Sequence, residues 1–145
     1  MEPPKAPDRM TAILSAQRNA LVNRFVQQAQ ATIPAYAAVP LVMLTPQLGL
    51  LVDTIFAALR DHDPSIMTRY LDQATRSRIE HGFPVESQIA LSGLIEAILR
   101  EAVTHAFAAD PPLLAQSLHR LETLANIGRN AVGRILLSTL MPPPE

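Results

Sequence analysis

The sequence predicts an all-α domain, because apolar patterns of helical length alternate with proline corners and no alternating strand pattern separates them. The clearest pattern lies in the middle of the chain. Asp63-Pro64 is typical of a helix start and Gly82 of a helix end, and Pro84 begins the next helix at once. The 145 residues, 48% of them hydrophobic, suffice for one domain with its own core.

The first half of the chain is predicted to hold two helices. Over residues 9–33 apolar side chains recur with the helical period until Pro34 ends the helix. The run 36–44 fits a single helical turn and an extended corner equally well. Thr45-Pro46 has the composition of a cap followed by the first helical residue, so the next helix is expected over 45–60.

Three more helices are predicted over residues 64–81, 84–107 and 111–140, the last after a second start signal at Asp110-Pro111. The inward face of the first of them is expected to consist of Ile66, Met67, Tyr70, Leu71, Ala74 and Ile79. Prolines make residues 1–8 an expected disordered N-terminus, and residues 141–145 an expected tail or start of a linker. The single domain should therefore occupy residues 9–140.

Composition narrows the classes of function. The net charge is −1, from 12 basic and 13 acidic side chains, without the basic surplus of a nucleic-acid-binding protein. No cysteine is present for disulfides or thiolate metal sites. The N-terminal sequence lacks the apolar stretch of a signal peptide, which favours a cytoplasmic location. Residues 25–52 carry no charge, but glutamines and prolines interrupt them, so no membrane span is expected.

Two helices carry a pattern that bears on assembly. The helix after Pro84 is apolar over roughly two hundred degrees of its surface, so it is either central to its own domain or shared with a second copy. Glycines interrupt the last helix, which suggests close approach of another backbone or simple packing within the domain. A homodimer is therefore one hypothesis. Its candidate residues are Leu91, Leu94, Ile98, Gly128, Val132 and Gly133.

Three short segments resemble the RsbR amino-terminal domain family, the sensor domains of stressosome co-antagonists. They are IPAY at 33–36, LRDHD at 59–63 and RSRIEHGFPVE at 76–86, and the resemblance covers about residues 9–140. It implies a globin-like bundle of about five to six helices without haem, usually dimeric. Such a domain presents a sensing module to an output domain or stressosome component of a bacterial stress or signal-transduction regulator.

The expected absence of haem depends on one position. In the haem-binding globin sensors to which this family is similar, the iron-ligating histidine lies four positions before a comparable glycine. Arg78 occupies that position here, and a guanidinium that stays protonated cannot ligate iron. The resemblance and this residue together predict a domain without a cofactor.

Other candidate sites are weaker. Glu101 and His105 lie four residues apart and could hold a metal, but the Glu-x-x-His spacing of di-iron bundles is absent, so an exposed ion pair is expected. Arg69 and Arg76 share a helix face that could meet an anion or an acidic partner, or could simply be solvated. No phosphate-binding loop and no ordered nucleophile with a base is apparent, which argues against an enzyme.

Two functions remain as hypotheses. The first is a non-catalytic sensory or scaffolding domain that acts as a dimer through protein contacts, including a regulatory partner. The alternative is a carrier or sensor of a fatty-acid-like small molecule. The first requires a filled core, whereas the second requires a cavity between the helices. The candidate lining residues are Phe56, Met67, Tyr70, Ile95 and Leu99.

Overall fold

Residues 8–140 are described by a computed structural model, and within this range the chain forms seven α-helices and no strand. The helices are α1 (Arg9–Ala16), α2 (Arg18–Thr32), α3 (Pro34–Ala37), α4 (Leu41–Asp61), α5 (Ser65–Glu80), α6 (Val85–Ala106) and α7 (Pro111–Leu140). The all-α prediction is confirmed. The expectations for residues 1–7 and 141–145 lie outside the described residues.

The five long helices pack as a closed ring. α2 lies against α4, α4 against α5, α5 against α7, α7 against α6, and α6 returns to α2. α1 crosses onto α4 and α6, and the short α3 packs on α2. The innermost side chains are aliphatic or aromatic and include Phe25, Leu44, Leu48 and Val52, all without exposed surface. Burial of such side chains supplies the main free energy of folding.

The helix count exceeds the predicted five to six because residues 9–33 form two helices and α3 is separate. Gln17 divides α1 from α2, and its N–H is shared between the carbonyls of Ile13 and Leu14 at 3.2 and 3.1 Å. The apolar period continues across this one-residue break, so periodicity does not reveal it. Asp8, assigned to the tail by the sequence, instead caps α1 by accepting a hydrogen bond from the Thr11 N–H at 2.9 Å.

α4 begins four residues earlier than predicted. Pro40 is its N-cap, and the Pro40 carbonyl accepts hydrogen bonds from the N–H groups of Met43 and Leu44, both at 3.0 Å. Pro46 therefore lies inside the helix, where it lacks an N–H for the carbonyl one turn earlier. Full burial of Leu44 and Leu48 on the inward face outweighs that local cost.

The α5–α6 corner follows the predicted punctuation. Gly82 adopts a left-handed conformation with φ of 89°. The N–H groups of Gly82 and Phe83 bond to the carbonyls of Ile79 and Arg78 at 3.0 and 2.9 Å, which is the Schellman arrangement of a helix end. At the other end of α5, the Asp63 carboxylate accepts from the Ser65 N–H at 3.0 Å, so the helix starts one residue later than expected.

One residue of the predicted core is on the wrong side. Ile66 was expected on the inward face of α5, but it is 53% exposed, whereas its neighbour Met67 is buried. Ile66 belongs to the first turn of a helix that begins at Ser65. The period alone predicts which residues share a face, but the packing of neighbouring helices decides how far that face extends.

Candidate functional site

A small apolar cavity, called here the central cavity, lies between α4, α5, α6 and α7. Its volume is about 80 Å³. Three of the five predicted pocket residues, Met67, Ile95 and Leu99, line it together. The remaining wall is mostly aliphatic, with a polar rim, and consists of Leu51, Ile55, Leu71, Ser92, Glu96, Leu121, Leu124, Ala125, Gly128 and Arg129.

The other two predicted pocket residues do not line this cavity. Phe56 is buried in the core cluster. Tyr70 is half-buried, and its hydroxyl donates a hydrogen bond to the Gln47 carbonyl of α4 at 3.0 Å. Burial raises the pKa of the Tyr70 phenol above its ordinary value. Tyr70 thus links α5 to α4. A hydrogen bond to a backbone carbonyl is the ordinary arrangement for a tyrosine at the edge of a core.

Two charged side chains belong to the rim of the central cavity. Glu96 of α6 and Arg129 of α7 both line it and pair with each other. Among the described residues that line it, only this pair and Ser92 have polar side chains that could orient a ligand. Its volume is well below the roughly 300 Å³ at which small-molecule pockets usually begin. The cavity can admit only a very small apolar group without movement of the helices.

The candidate dimer residues fall into two sets. Leu91, Ile98 and Val132 are buried within the single chain, and Leu94 is half-buried against the core, so these side chains serve the fold of one domain. The two glycines of α7 differ. A methyl group at Gly128 would meet the Leu71 side chain of α5 at 3.5 Å, whereas one at Gly133 would meet no atom of the described residues within 4 Å. The contact at Gly128 is therefore ordinary packing against a side chain of the same domain.

A buried polar cluster, called here the corner cluster, lies where α5, α6 and α3 meet. It consists of Tyr36, Arg78, Ser87 and Gln88, each at most 9% exposed. The Gln88 amide donates to the Tyr36 hydroxyl at 3.1 Å and to the Ser87 hydroxyl at 3.1 Å. The Arg78 guanidinium donates to the Gln88 side-chain carbonyl at 3.5 Å. The network links three helices at the corner.

Arg78 is the unusual member of the corner cluster. The ion pairs found among residues 8–140 do not include it, although the residue is only 9% exposed. A buried charge without a carboxylate costs free energy unless hydrogen bonds compensate. Arg78 is also the residue on which the expected absence of haem depends, and its side-chain hydrogen bond is to Gln88.

The histidines and carboxylates are dispersed. Within residues 8–140, no group of three or more His, Asp or Glu side chains is close enough to hold a metal ion. The expected pair of Glu101 with His105 does not form. Glu101 instead pairs with Arg24 of α2 at 3.0 Å, because α2 lies beside α6 in the bundle. The four-residue spacing correctly placed Glu101 and His105 on one face of α6, but the ion-pair partner of Glu101 comes from the neighbouring helix α2.

The start of α4 carries an exposed apolar surface that the sequence analysis did not single out. We call it the α4 face, and it consists of Leu41, Val42, Met43, Pro46 and Leu50. Val42 is 81% exposed, and the other three large aliphatic side chains are each more than half exposed. Val42, Met43, Pro46 and Leu50 share one side of the helix at 100° per residue. Three consecutive large apolar residues were the available signal for this surface.

α4 is also the one helix in residues 8–140 that is long and apolar enough to cross a membrane by length and composition. Less than half of its most apolar window, 44%, is buried in the bundle. Its inward side packs on α2 and α5, as a core helix does, and the exposed remainder is largely the α4 face.

A second surface feature is a groove between α5 and α7, called here the arginine groove. It has a volume of about 380 Å³. Arg69, Asp72 and Arg76 of α5 and Arg134 of α7 line it. The sequence predicted the shared face of Arg69 and Arg76, but it could not place Arg134 beside them, because only the packing of α7 on α5 does so.

Comparisons of the chain with protein-family models, with curated proteins and with solved structures find no match.

Proposed function

We propose that the chain is a non-catalytic sensory or scaffolding domain of a regulatory protein, and that it acts as a homodimer through protein–protein contacts. The observation that carries this proposal is the α4 face. Contiguous exposed apolar side chains are uncommon on monomers and usually mark a surface that another molecule covers. Pro40, the residue before the helix, is also exposed and continues the face beyond the helix start.

A second copy of the chain is the occupant that best fits the α4 face. In a two-fold dimer both copies contribute the same surface, so a surface with charges of one sign only would repel itself, whereas an uncharged apolar surface would not. Residues 25–52 contain no charged side chain, and the first charge along the helix, Asp53, is already paired with Arg18 of α2 at 2.7 Å. The α4 face can therefore pack against itself without electrostatic repulsion.

A membrane surface fits less well. Helices that bind the membrane interface usually carry Lys or Arg on their polar face to attract anionic lipids. The first basic residue of α4 is Arg60, near its far end, and it pairs with Asp61 at 3.0 Å. A cytoplasmic domain that binds protein is the proposal that agrees with this distribution of charge.

The finer assignment, a globin-like sensor of the RsbR amino-terminal type, rests on the sequence resemblance. Buried Arg78 supports the absence of haem, because it fills the position of the iron ligand and engages Gln88. The ring of five long helices is compatible with a globin-like arrangement. An output domain or stressosome component would then be the regulatory partner.

The alternative, a carrier of a fatty-acid-like molecule, is less well supported. The central cavity, at about 80 Å³, is smaller than the engineered cavity of about 150 Å³ that binds benzene. A long acyl chain would require α5 and α7 to separate and would expose buried leucines. We therefore do not favour this function.

The test of the dimer compares two double variants by light scattering. Wild-type protein at micromolar concentration should have twice the mass of one chain. Val42→Glu with Leu50→Glu should reduce it to one chain, because four buried carboxylates would oppose each other across the two-fold axis. Ile89→Glu with Leu137→Glu is the matched control, since both residues are exposed and lie on α6 and α7.

Three results would contradict this proposal. A monomeric wild-type protein removes the dimer altogether. Dissociation in the control pair alone would place the interface on α6 and α7, the helices that the sequence suggested. Co-sedimentation of the wild-type protein with lipid vesicles, lost in the α4 variant, would identify a membrane as the occupant instead.

A further inference from the structure

The described lining of the arginine groove contains more arginines than carboxylates. Three guanidinium groups face one carboxylate, and Asp72 already pairs with Arg76 at 3.2 Å along α5. Among residues 8–140, neither Arg69 nor Arg134 takes part in an ion pair. In a chain whose net charge is −1, this groove is a local concentration of positive charge.

The floor of the groove is apolar and belongs to the packed core. Ala131 and Ile135 of α7 line it, and both are almost completely buried. Arg134 lies next to Ile135 on α7, and α5 supplies the opposite wall. The arginines are therefore held on two packed helices rather than on a loop, which limits the ordering cost of binding.

The spacing of the arginines indicates the size of the ligand. Arg69 and Arg76 are seven residues apart on one helix, a separation of about 10 Å along its axis. One carboxylate or one phosphate is too small to contact both. On a chain in the extended polyproline II conformation, which has three residues per turn, carboxylates three residues apart lie on one face and are separated by about 9 Å. A peptide with acidic side chains at this interval can therefore contact both ends of the groove.

The chemistry favours carboxylate recognition. The guanidinium group offers two parallel donors that match the two oxygens of a carboxylate. At about 380 Å³ the groove is large enough for a few residues of a peptide, and its apolar floor can contact their methylene groups. We propose that the arginine groove binds an extended acidic segment of a partner protein, with Glu or Asp at every third position.

This inference names the partner chemistry of the proposed interaction domain and rests on that function. It can nevertheless fail on its own. The dimer is tested by mass through the α4 face, whereas the groove is tested by peptide binding through α5 and α7. A dimer that does not bind acidic peptides would contradict only the groove proposal. A monomer that binds them would contradict only the dimer.

The experiment measures binding of a synthetic peptide with the sequence Glu-Gly-Ser repeated three times, at low ionic strength. A peptide with Gln in place of each Glu is the uncharged probe. Arg69→Gln with Arg134→Gln should weaken binding roughly tenfold, since two charged contacts of about 0.7 kcal/mol each are lost. Added salt should weaken wild-type binding progressively.

The matched control is Arg24→Gln with Arg100→Gln, which removes two positive charges from exposed arginines outside the groove. Its affinity should stay within about twofold of wild type, because distant exposed charges are screened. Chemical-shift mapping on the wild-type protein should place the peptide on α5 and α7. An equal loss in both variants, or equal binding of the Gln peptide, would overturn the proposal. So would tighter binding of a single-stranded oligonucleotide than of the acidic peptide.

Discussion

Two regions of the interior differ in chemistry and in packing. The corner cluster joins α3, α5 and α6 through hydrogen bonds among Tyr36, Arg78, Ser87 and Gln88. The central cavity separates α4, α5, α6 and α7 and is lined mainly by aliphatic side chains. Hydrogen bonds constrain direction, whereas apolar contacts constrain only volume. Substitutions in the corner cluster should therefore destabilise the fold strongly, whereas substitutions around the central cavity should have small effects.

The difference also assigns roles. The corner holds buried Arg78 through one side-chain amide, and no carboxylate within residues 8–140 pairs with its charge, so the corner should be sensitive to the loss of that amide. Side chains that line a cavity lose dispersion contacts on one side, but the empty space can accommodate small changes in their size. If the domain responds to a signal, movement of α5 relative to α7 would alter the cavity and the arginine groove together, since both lie between these helices.

The largest effect on stability is expected when buried Arg78 loses its hydrogen-bond acceptor. Gln88→Leu keeps the volume of the side chain but removes the acceptor of Arg78 and the donor to Tyr36. We expect a loss of about 3 kcal/mol in the free energy of unfolding, because a buried charged donor would lose its hydrogen-bond acceptor. Urea unfolding at neutral pH provides the measurement.

Arg78→Met is the matched control for that prediction. It removes the charge itself, so the loss should be only about 1 kcal/mol, from the unpaired Gln88 carbonyl. The double variant should then recover part of the stability lost in Gln88→Leu alone, because no charge remains to be compensated. Simple additivity of the two losses would show that Arg78 is solvated and that the corner is not especially sensitive to substitution.

A smaller effect is expected at the left-handed residue of the same corner. Gly82 has φ of 89° and no atom within 4 Å of an added methyl group, so only backbone strain opposes Gly82→Ala. The free energy of unfolding should fall by about 1–2 kcal/mol. Thermal unfolding can measure this, with Gly82→Asn as a control that should lose less, because Asn tolerates this conformation. An unchanged or raised melting temperature would show that the corner relaxes.

The smallest effects are expected at the two glycines of α7, of which Gly128 lines the central cavity, and they should have the opposite sign. Gly128→Ala and Gly133→Ala each replace a helical glycine, which should raise the free energy of unfolding by about 1 kcal/mol. At Gly128 the new methyl group would also contact Leu71 at 3.5 Å, an ordinary van der Waals distance, whereas Gly133 has no such neighbour. Gly128→Ala should therefore stabilise the fold slightly more when both are measured by urea unfolding.

The same pair of variants bears on the dimer. If Gly133 lies against a second copy, Gly133→Ala would lower the mass observed by light scattering instead of only stabilising the chain. Loss of stability in Gly128→Ala would mean that the Leu71 side chain of α5 cannot shift to accommodate the added methyl group, and that the cavity is as rigid as the corner.

How well each region could be predicted depends on whether its signal is local. The α5–α6 corner was predictable because Gly82 and Pro84 restrict their own backbone. The start of α4 was not, because the preference of Pro46 for a helix start competes with the burial of Leu44 and Leu48. Packing decided that competition. The predicted pocket was placed in part, since Met67, Ile95 and Leu99 share faces that meet in space.

What the sequence determined by itself is the all-α class, most helix boundaries and the location of the apolar faces. These features follow from periodicity and from residues whose backbone is restricted or whose side chains cap helices. Tertiary structure decided which faces meet. It moved Leu91, Ile98 and Val132 into the core of one chain, left the α4 face uncovered and brought Arg134 beside Arg69. Contacts between helices distant in sequence depend on how whole surfaces fit, and no local pattern contains that information.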